Sequence, residues 1–88
     1  MSKITKKASA GTMESSDVYV EISPADDIEI ELDSVVAAQF GDEIKSVIYE
    51  VLKEQNISGA HVKAVDRGAL DCVIRSRVET VIQRAGEV

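Results

Sequence analysis

Few residues in this 88-residue chain have the types and spacing that chemistry needs. There is one imidazole, His61, and one thiol, Cys72, together with scattered carboxylates and a hydroxyl pair at Ser15-Ser16. Hydrolytic catalysis requires a base poised beside a nucleophile. His61 sits in a predicted strand with no motif around it, so it reads as a structural or solvent-exposed histidine rather than a base. Cys72 lies one turn into an amphipathic pattern beside Asp71, whose charge disfavours a thiolate, and is expected to be a partly buried, inert thiol. Asp26-Asp27 and Glu29, Glu31 and Asp33 lack the ligand spacing of a calcium loop and read as a solvated strand face. The five glycines are dispersed and form no phosphate-cradling loop. One segment remains, Gly11-Thr12-Met13-Glu14-Ser15-Ser16-Asp17. A hydroxyl on a polar tip can enter another enzyme's site and accept a tether without a base of its own. On spacing alone, a plain hairpin turn is the favoured reading of the segment.

The elements that must position this segment are legible in the alternation around it. Val18, Val20 and Ile22 alternate with polar residues, as do Ile28, Ile30 and Leu32, and each set predicts a half-buried strand. Lys6–Gly11 has β character and leads into the turn, which places Ser15 and Ser16 at or near a hairpin tip. Pro24-Ala25-Asp26-Asp27 is the next turn. With Asp33 or Ser34 as N-cap, Val36, Phe40, Ile44, Val47, Ile48, Val51 and Leu52 then recur at helical spacing. Gly41 allows a kink or a restart near Asp42, and Gln55-Asn56 ends the helix. Ala60–Asp66 reads as a further strand, followed by a turn at Asp66-Arg67-Gly68. A second helix follows, with Leu70, Val73, Ile74, Val78, Val81, Ile82 and Ala85 on one side. On it, Asp71 with Arg75 and Arg75 with Glu79 are expected i,i+4 pairs. The order β-β-α-β-α after an N-terminal hairpin strand predicts an α+β, two-layer sandwich: a mostly antiparallel sheet of three or four strands with two amphipathic helices on one face. Residues 1–88 are expected to form a single domain, with 1–6 flexible.

Composition narrows the classes of function. Hydrophobic residues make up 44% and charged residues 30%, the balance of a folded globular chain. A net charge of −6 opposes a nucleic-acid partner, because that affinity rests on Lys and Arg displacing counterions. No run of about 18 apolar residues occurs, so no membrane span is expected. Ala8-Ser9-Ala10-Gly11 is too short and polar for a secretory apolar region, and a lone cysteine provides no disulfide framework. A cytoplasmic location is expected.

Three separated blocks, taken together, carry a resemblance. They are Gly11-Thr12-Met13-Glu14-Ser15-Ser16-Asp17-Val18, Phe40-Gly41-Asp42, and Lys63-x-x-Asp66-x-Gly68-Ala69-Leu70-Asp71-Cys72-Val73-Ile74-Arg75-x-Arg77. In order and separation they resemble the acyl carrier proteins (gamma chains) of citrate lyase across nearly the whole chain. The resemblance implies that Ser15 carries phosphoribosyl-dephospho-coenzyme A through a phosphodiester, with Ser16 its unmodified neighbour. Met13 stands where that family usually has Leu, a volume-conserving swap. The implied function is a swinging thioester arm, alternately acetylated and citrylated, during cleavage of citrate to acetate and oxaloacetate. The implied partners are the alpha (acyl transferase) and beta (citryl lyase) subunits and the prosthetic-group transferase, while the carrier itself supplies no acid or base. A malonate decarboxylase-type carrier uses the same group, although its motif has Gly-Ser-Gly-Asp at the serine. An unmodified acidic interaction domain, which would survive Ser15→Ala, is the reading from another class, and a small free-standing enzyme is a third.

Overall fold

The computed structural model describes residues 2–86, and the side chains of these apart from residues 2, 3 and 37. The elements are β1 (Ser2–Lys3), β2 (Ala8–Gly11), β3 (Val18–Ser23), β4 (Ile28–Ser34), α1 (Ala37–Glu54), β5 (Ile57–Asp66) and α2 (Asp71–Ala85). This is the expected α+β order. The sheet runs β2-β3-β5-β4, with the short β1 paired to the first residues of β5. β2–β3 and β3–β5 are antiparallel, whereas β4–β5 is parallel, with α1 as the crossover between them. β5 thus inserts between two strands that are consecutive in the chain.

That insertion explains one glycine. The Pro24–Asp27 connection must pass the start of β5 to reach its far side, and a Cβ on Gly59 would lie 2.3 Å from the carbonyl oxygen of Ala25. Behind it the Ala60 N–H donates to the Asp27 carbonyl at 3.1 Å.

Period-two alternation sorts the sheet into two faces. Ala10, Val18, Val20, Ile22, Ala60, Val62 and Ala64 point to one side and are buried. Against them pack Ile44, Val47, Ile48, Val51 and Leu52 of α1 and Ile74, Val78, Val81, Ile82 and Ala85 of α2. α1 lies over β4 and β5, and α2 over β2 and β3. The other face carries Tyr19, Glu21, Glu29, Glu31, His61 and Lys63 and is open.

Several details depart from the sequence expectations. α1 runs through Gly41 without a break. Neither Asp33 nor Ser34 is the N-cap, because β4 continues to Ser34 and Val36 takes that place. Ser34 Oγ still accepts the Val36 N–H at 3.1 Å. Asn56, with φ of 59°, ends the turn after α1 in the left-handed conformation expected there. Of residues 1–6, expected to be flexible, Met1 lies outside the described residues, β1 pairs with β5, and Ile4 is buried in the core.

Candidate functional site

The β2–β3 connection is built from its ends inward. Gly11 has φ of +94°, and a Cβ there would fall 1.9 Å from the Val18 carbonyl oxygen, so the strands close here only around a glycine. At the tip, the Asp17 N–H donates to the Glu14 carbonyl at 3.1 Å, closing a four-residue turn with Ser15 and Ser16 at its centre. Ser16, at φ of +66°, occupies the left-handed region. Its N–H donates to the Arg67 carbonyl at 2.8 Å, and the Arg67 N–H returns a bond to the Asp17 carbonyl at 2.9 Å. These two bonds extend the β3–β5 ladder beyond its last register pair, Val18 with Asp66. The turn is therefore pinned along one side, and Ser15, at its apex, is exposed. Among the described residues no hydrogen bond occupies its hydroxyl.

Asp17 is the hub beneath the tip. Its carboxylate accepts from Arg77 Nε at 3.1 Å and Nη2 at 2.8 Å, from Thr12 Oγ1 at 2.7 Å and from the Val18 N–H at 2.7 Å. The bidentate Arg77 contact chiefly, and the Thr12 bond next, hold the Asp17 carboxyl down at about 2, from an ordinary 3.8. Arg77 is on α2, sixty residues away in the chain, so this pair fastens the turn to the helix layer.

A second carboxylate supports the same end of the molecule. Asp66 is the one buried charged residue among those described, at 1% exposure, and it faces the helices from the last position of β5. Ser34 Oγ donates to it at 2.7 Å and the Ala69 N–H at 2.9 Å. It thereby joins the end of β4 to the segment entering α2, next to the Arg67 rung that holds Ser16.

The remaining residues singled out by sequence lie apart from the turn. His61 is on the open face, bonded to Glu31. It stands five positions before Asp66, about 17 Å along the strand at the usual rise, so it forms no pair with Ser15. Cys72 is exposed, not partly buried, because its position in the first turn of α2 points away from the Ile74–Val78–Val81 stripe. Arg75 does not use the expected partners on its own helix. It reaches across to Glu54 at 2.6 Å and Glu50 at 3.5 Å on α1, where a long side chain finds two carboxylates together. The acidic strand residues are solvated as expected, and no cluster suited to a metal ion occurs among the described residues. Sequence reasoning assigned no role to Asp17, Arg77 or Asp66, although all three fall within the blocks that carry the resemblance.

The turn, its clamp and the surrounding fold can be set beside known proteins. The family model described as "ACP: Malonate decarboxylase delta subunit (MdcD)" matches residues 5–85. The citrate lyase acyl carrier protein of Haemophilus influenzae strain PittEE is 52% identical over 83 residues, which cover 94% of this chain and 87% of that protein. Its counterpart from strain PittGG is 51% identical over the same coverage. Among solved structures, a chain of a Pseudomonas malonate decarboxylase hetero-tetramer in complex with malonate superposes with a TM-score of 0.78. That match covers 98% of this chain and 93% of the other at 18% identity, so it speaks for the fold alone. By its half-identical relatives and the extent of the family match, this chain belongs to the family of citrate lyase acyl carrier proteins.

Proposed function

We propose that the chain is the acyl carrier subunit of a citrate lyase, holding phosphoribosyl-dephospho-coenzyme A on Ser15 Oγ through a phosphodiester bond. The observation that carries this reading is an exposed, unengaged hydroxyl at the apex of a turn whose base is clamped. Forming an O–P bond requires a hydroxyl that another enzyme can reach, and Ser15 fits that requirement. When bound, the group would supply a terminal thiol able to hold an acyl group as a thioester, the chemistry that cleavage of citrate to acetate and oxaloacetate would use. Glu14 beside the attachment point and the net charge of −6 favour an anionic arm directed into solvent.

The chain's own residues position and do not catalyse in this reading. Asp17, two residues from Ser15, is held at about 2 and is a poor proton acceptor near neutrality. His61 stands midway along β5, about 17 Å from its Asp66 end at the usual rise. Acid and base groups belong to the partners: the alpha acyl transferase, the beta citryl lyase and the enzyme that attaches the arm. The carrier's contribution is effective concentration, since a tethered thioester meets each partner's site as an intramolecular reactant. A cytoplasmic setting goes with this reading, and no described helix is long and apolar enough to cross a membrane. The 52% identity to a citrate lyase carrier, against 18% to the malonate decarboxylase chain, favours citrate as the substrate.

Reconstitution with the two larger subunits tests the assignment. Ser15→Ala abolishes citrate cleavage and Ser16→Ala retains it; activity that survives Ser15→Ala contradicts the reading.

A further inference from the structure

Large apolar side chains exposed on this surface are unevenly placed. Met13, Val35, Phe40 and Leu70 are exposed, and among the described residues only Tyr49 joins them. Met13 belongs to the Ser15 turn, and the N–H of Val35 donates to the Asp66 carbonyl at 3.2 Å. Phe40 is in the first turn of α1, and Leu70 immediately precedes α2. Because Val18, Asp66 and Ser34 share one level of the sheet, these four surround the end of the molecule that carries Ser15.

Between Phe40 and Leu70 runs a groove of about 380 Å³. Val36, the N-cap of α1, with Phe40 and Ile44 at steps of four along it, forms one wall, and Gly68–Leu70 the other. Arg67, whose carbonyl holds the Ser16 N–H, immediately precedes that second wall, so groove and turn lie at the same end of the molecule. Exposed Glu43 and Asp71 line its rim.

Charge decides among the occupants. An arm of phosphates bearing a carboxylate-rich cargo meets like charge at Glu43 and Asp71 and in the chain's −6. A second copy brings the same carboxylates to the same groove in a two-fold pairing. A protein face with an apolar side chain flanked by Lys or Arg satisfies both the groove and its rim. Of the partners, the enzyme that attaches the arm is the one that must reach Ser15 itself, and Ser15 lies at the groove's end of the molecule. We propose that the groove between Phe40 and Leu70 is the docking surface for that enzyme, which inserts an apolar side chain ringed by basic residues.

This rests on the Ser15 reading, so binding and modification are measured separately on the full apo chain with the purified transferase. Phe40 is 49% exposed and Leu70 71%, so the variants should stay folded, which far-UV circular dichroism checks before binding is compared. Phe40→Asp and Leu70→Asp are expected to weaken binding and raise KM about tenfold or more, with kcat within about twofold. Leu70→Ala should show a smaller loss, Glu43→Lys a loss that raised salt no longer deepens, and Tyr49→Asp no change. Phe40 and Leu70 variants that match Tyr49→Asp overturn the proposal, as does a wild-type chain that does not bind. So do resonance shifts at Phe40 and Leu70 caused by loading the arm with no partner present, or self-association abolished by Leu70→Asp. Wild-type chain that binds but stays unmodified contradicts the Ser15 reading and leaves docking to be judged by the binding of the variants.

Discussion

Replacing Arg77 by Gln removes both of its bonds to Asp17 while keeping most of the side chain's length. The magnitude follows from the carboxylate. Lowering the Asp17 carboxyl from 3.8 to about 2 corresponds to roughly 2.4 kcal/mol between folded and unfolded states, shared among Arg77, Thr12 and the Val18 N–H. Arg77 makes the largest contribution, but its side chain is 38% exposed, so solvent screening reduces its share to about 1–1.5 kcal/mol. For a domain this size that is a fall in Tm of about 5–10 °C. The sign with pH is fixed by the depressed folded value. The stabilisation is complete above about pH 5, declines as pH falls through 3.8 towards 2, and is lost below that. Urea unfolding followed by far-UV circular dichroism, suited to a chain without Trp, at pH 7, 4, 3 and 2 reads it directly. Arg77→Gln should fall short of the wild type by about 1–1.5 kcal/mol at pH 7, and the two should converge near pH 2. A gap below about 0.4 kcal/mol at pH 7, or one equally large at pH 2, refutes the clamp as the support of the turn.

Two further substitutions test the ends of the same scaffold. Gly11→Ala puts a Cβ 1.9 Å from the Val18 carbonyl oxygen and should cost more than about 2 kcal/mol, whereas Gly68→Ala, at the same φ of +94° but with open space around it, should cost only about 1. Equal losses in thermal melts of the two variants would show that backbone strain alone, without the close approach, accounts for Gly11. Ser34→Ala strips a donor from the buried Asp66 carboxylate and an acceptor from the Val36 N–H, and an unfolding titration should find it less stable by about 1–3 kcal/mol. A loss under about 0.5 kcal/mol would mean that water replaces the hydroxyl at no cost.

What the sequence made legible is what local periodicity encodes. Val18-Val20-Ile22 and Ile28-Ile30-Leu32 alternate because one face of each strand is covered, and the apolar stripes of both helices meet that face. Alternation says which face a residue is on but not which strand lies beside it, so the insertion of β5 between β3 and β4 was not readable. The same limit hid the clamp. Asp17 and Arg77 are sixty residues apart, and nothing local to either one marks the other as its partner. Arg75 shows how a local rule misleads, since acidic neighbours one turn away predict helical pairs while Glu50 and Glu54 of the packed helix win the contact. The Ser15 turn was legible by composition, because Gly11 and the polar run after it are turn-forming. Its anchoring to Arg67 and Arg77 was not, because both partners come from the other end of the chain.

The central claim is that Ser15 carries a covalent arm, and the most direct measurement is the mass of the chain itself. The protein is co-expressed with the enzymes that make and transfer phosphoribosyl-dephospho-coenzyme A, weighed intact and then mapped by peptide. An added mass matching that group, confined to Ser15 and absent from Ser16, is the expected result. An unmodified Ser15 under those conditions, or the group found on another residue, contradicts the account and returns the acidic sheet and its turn to the reading of a plain interaction domain.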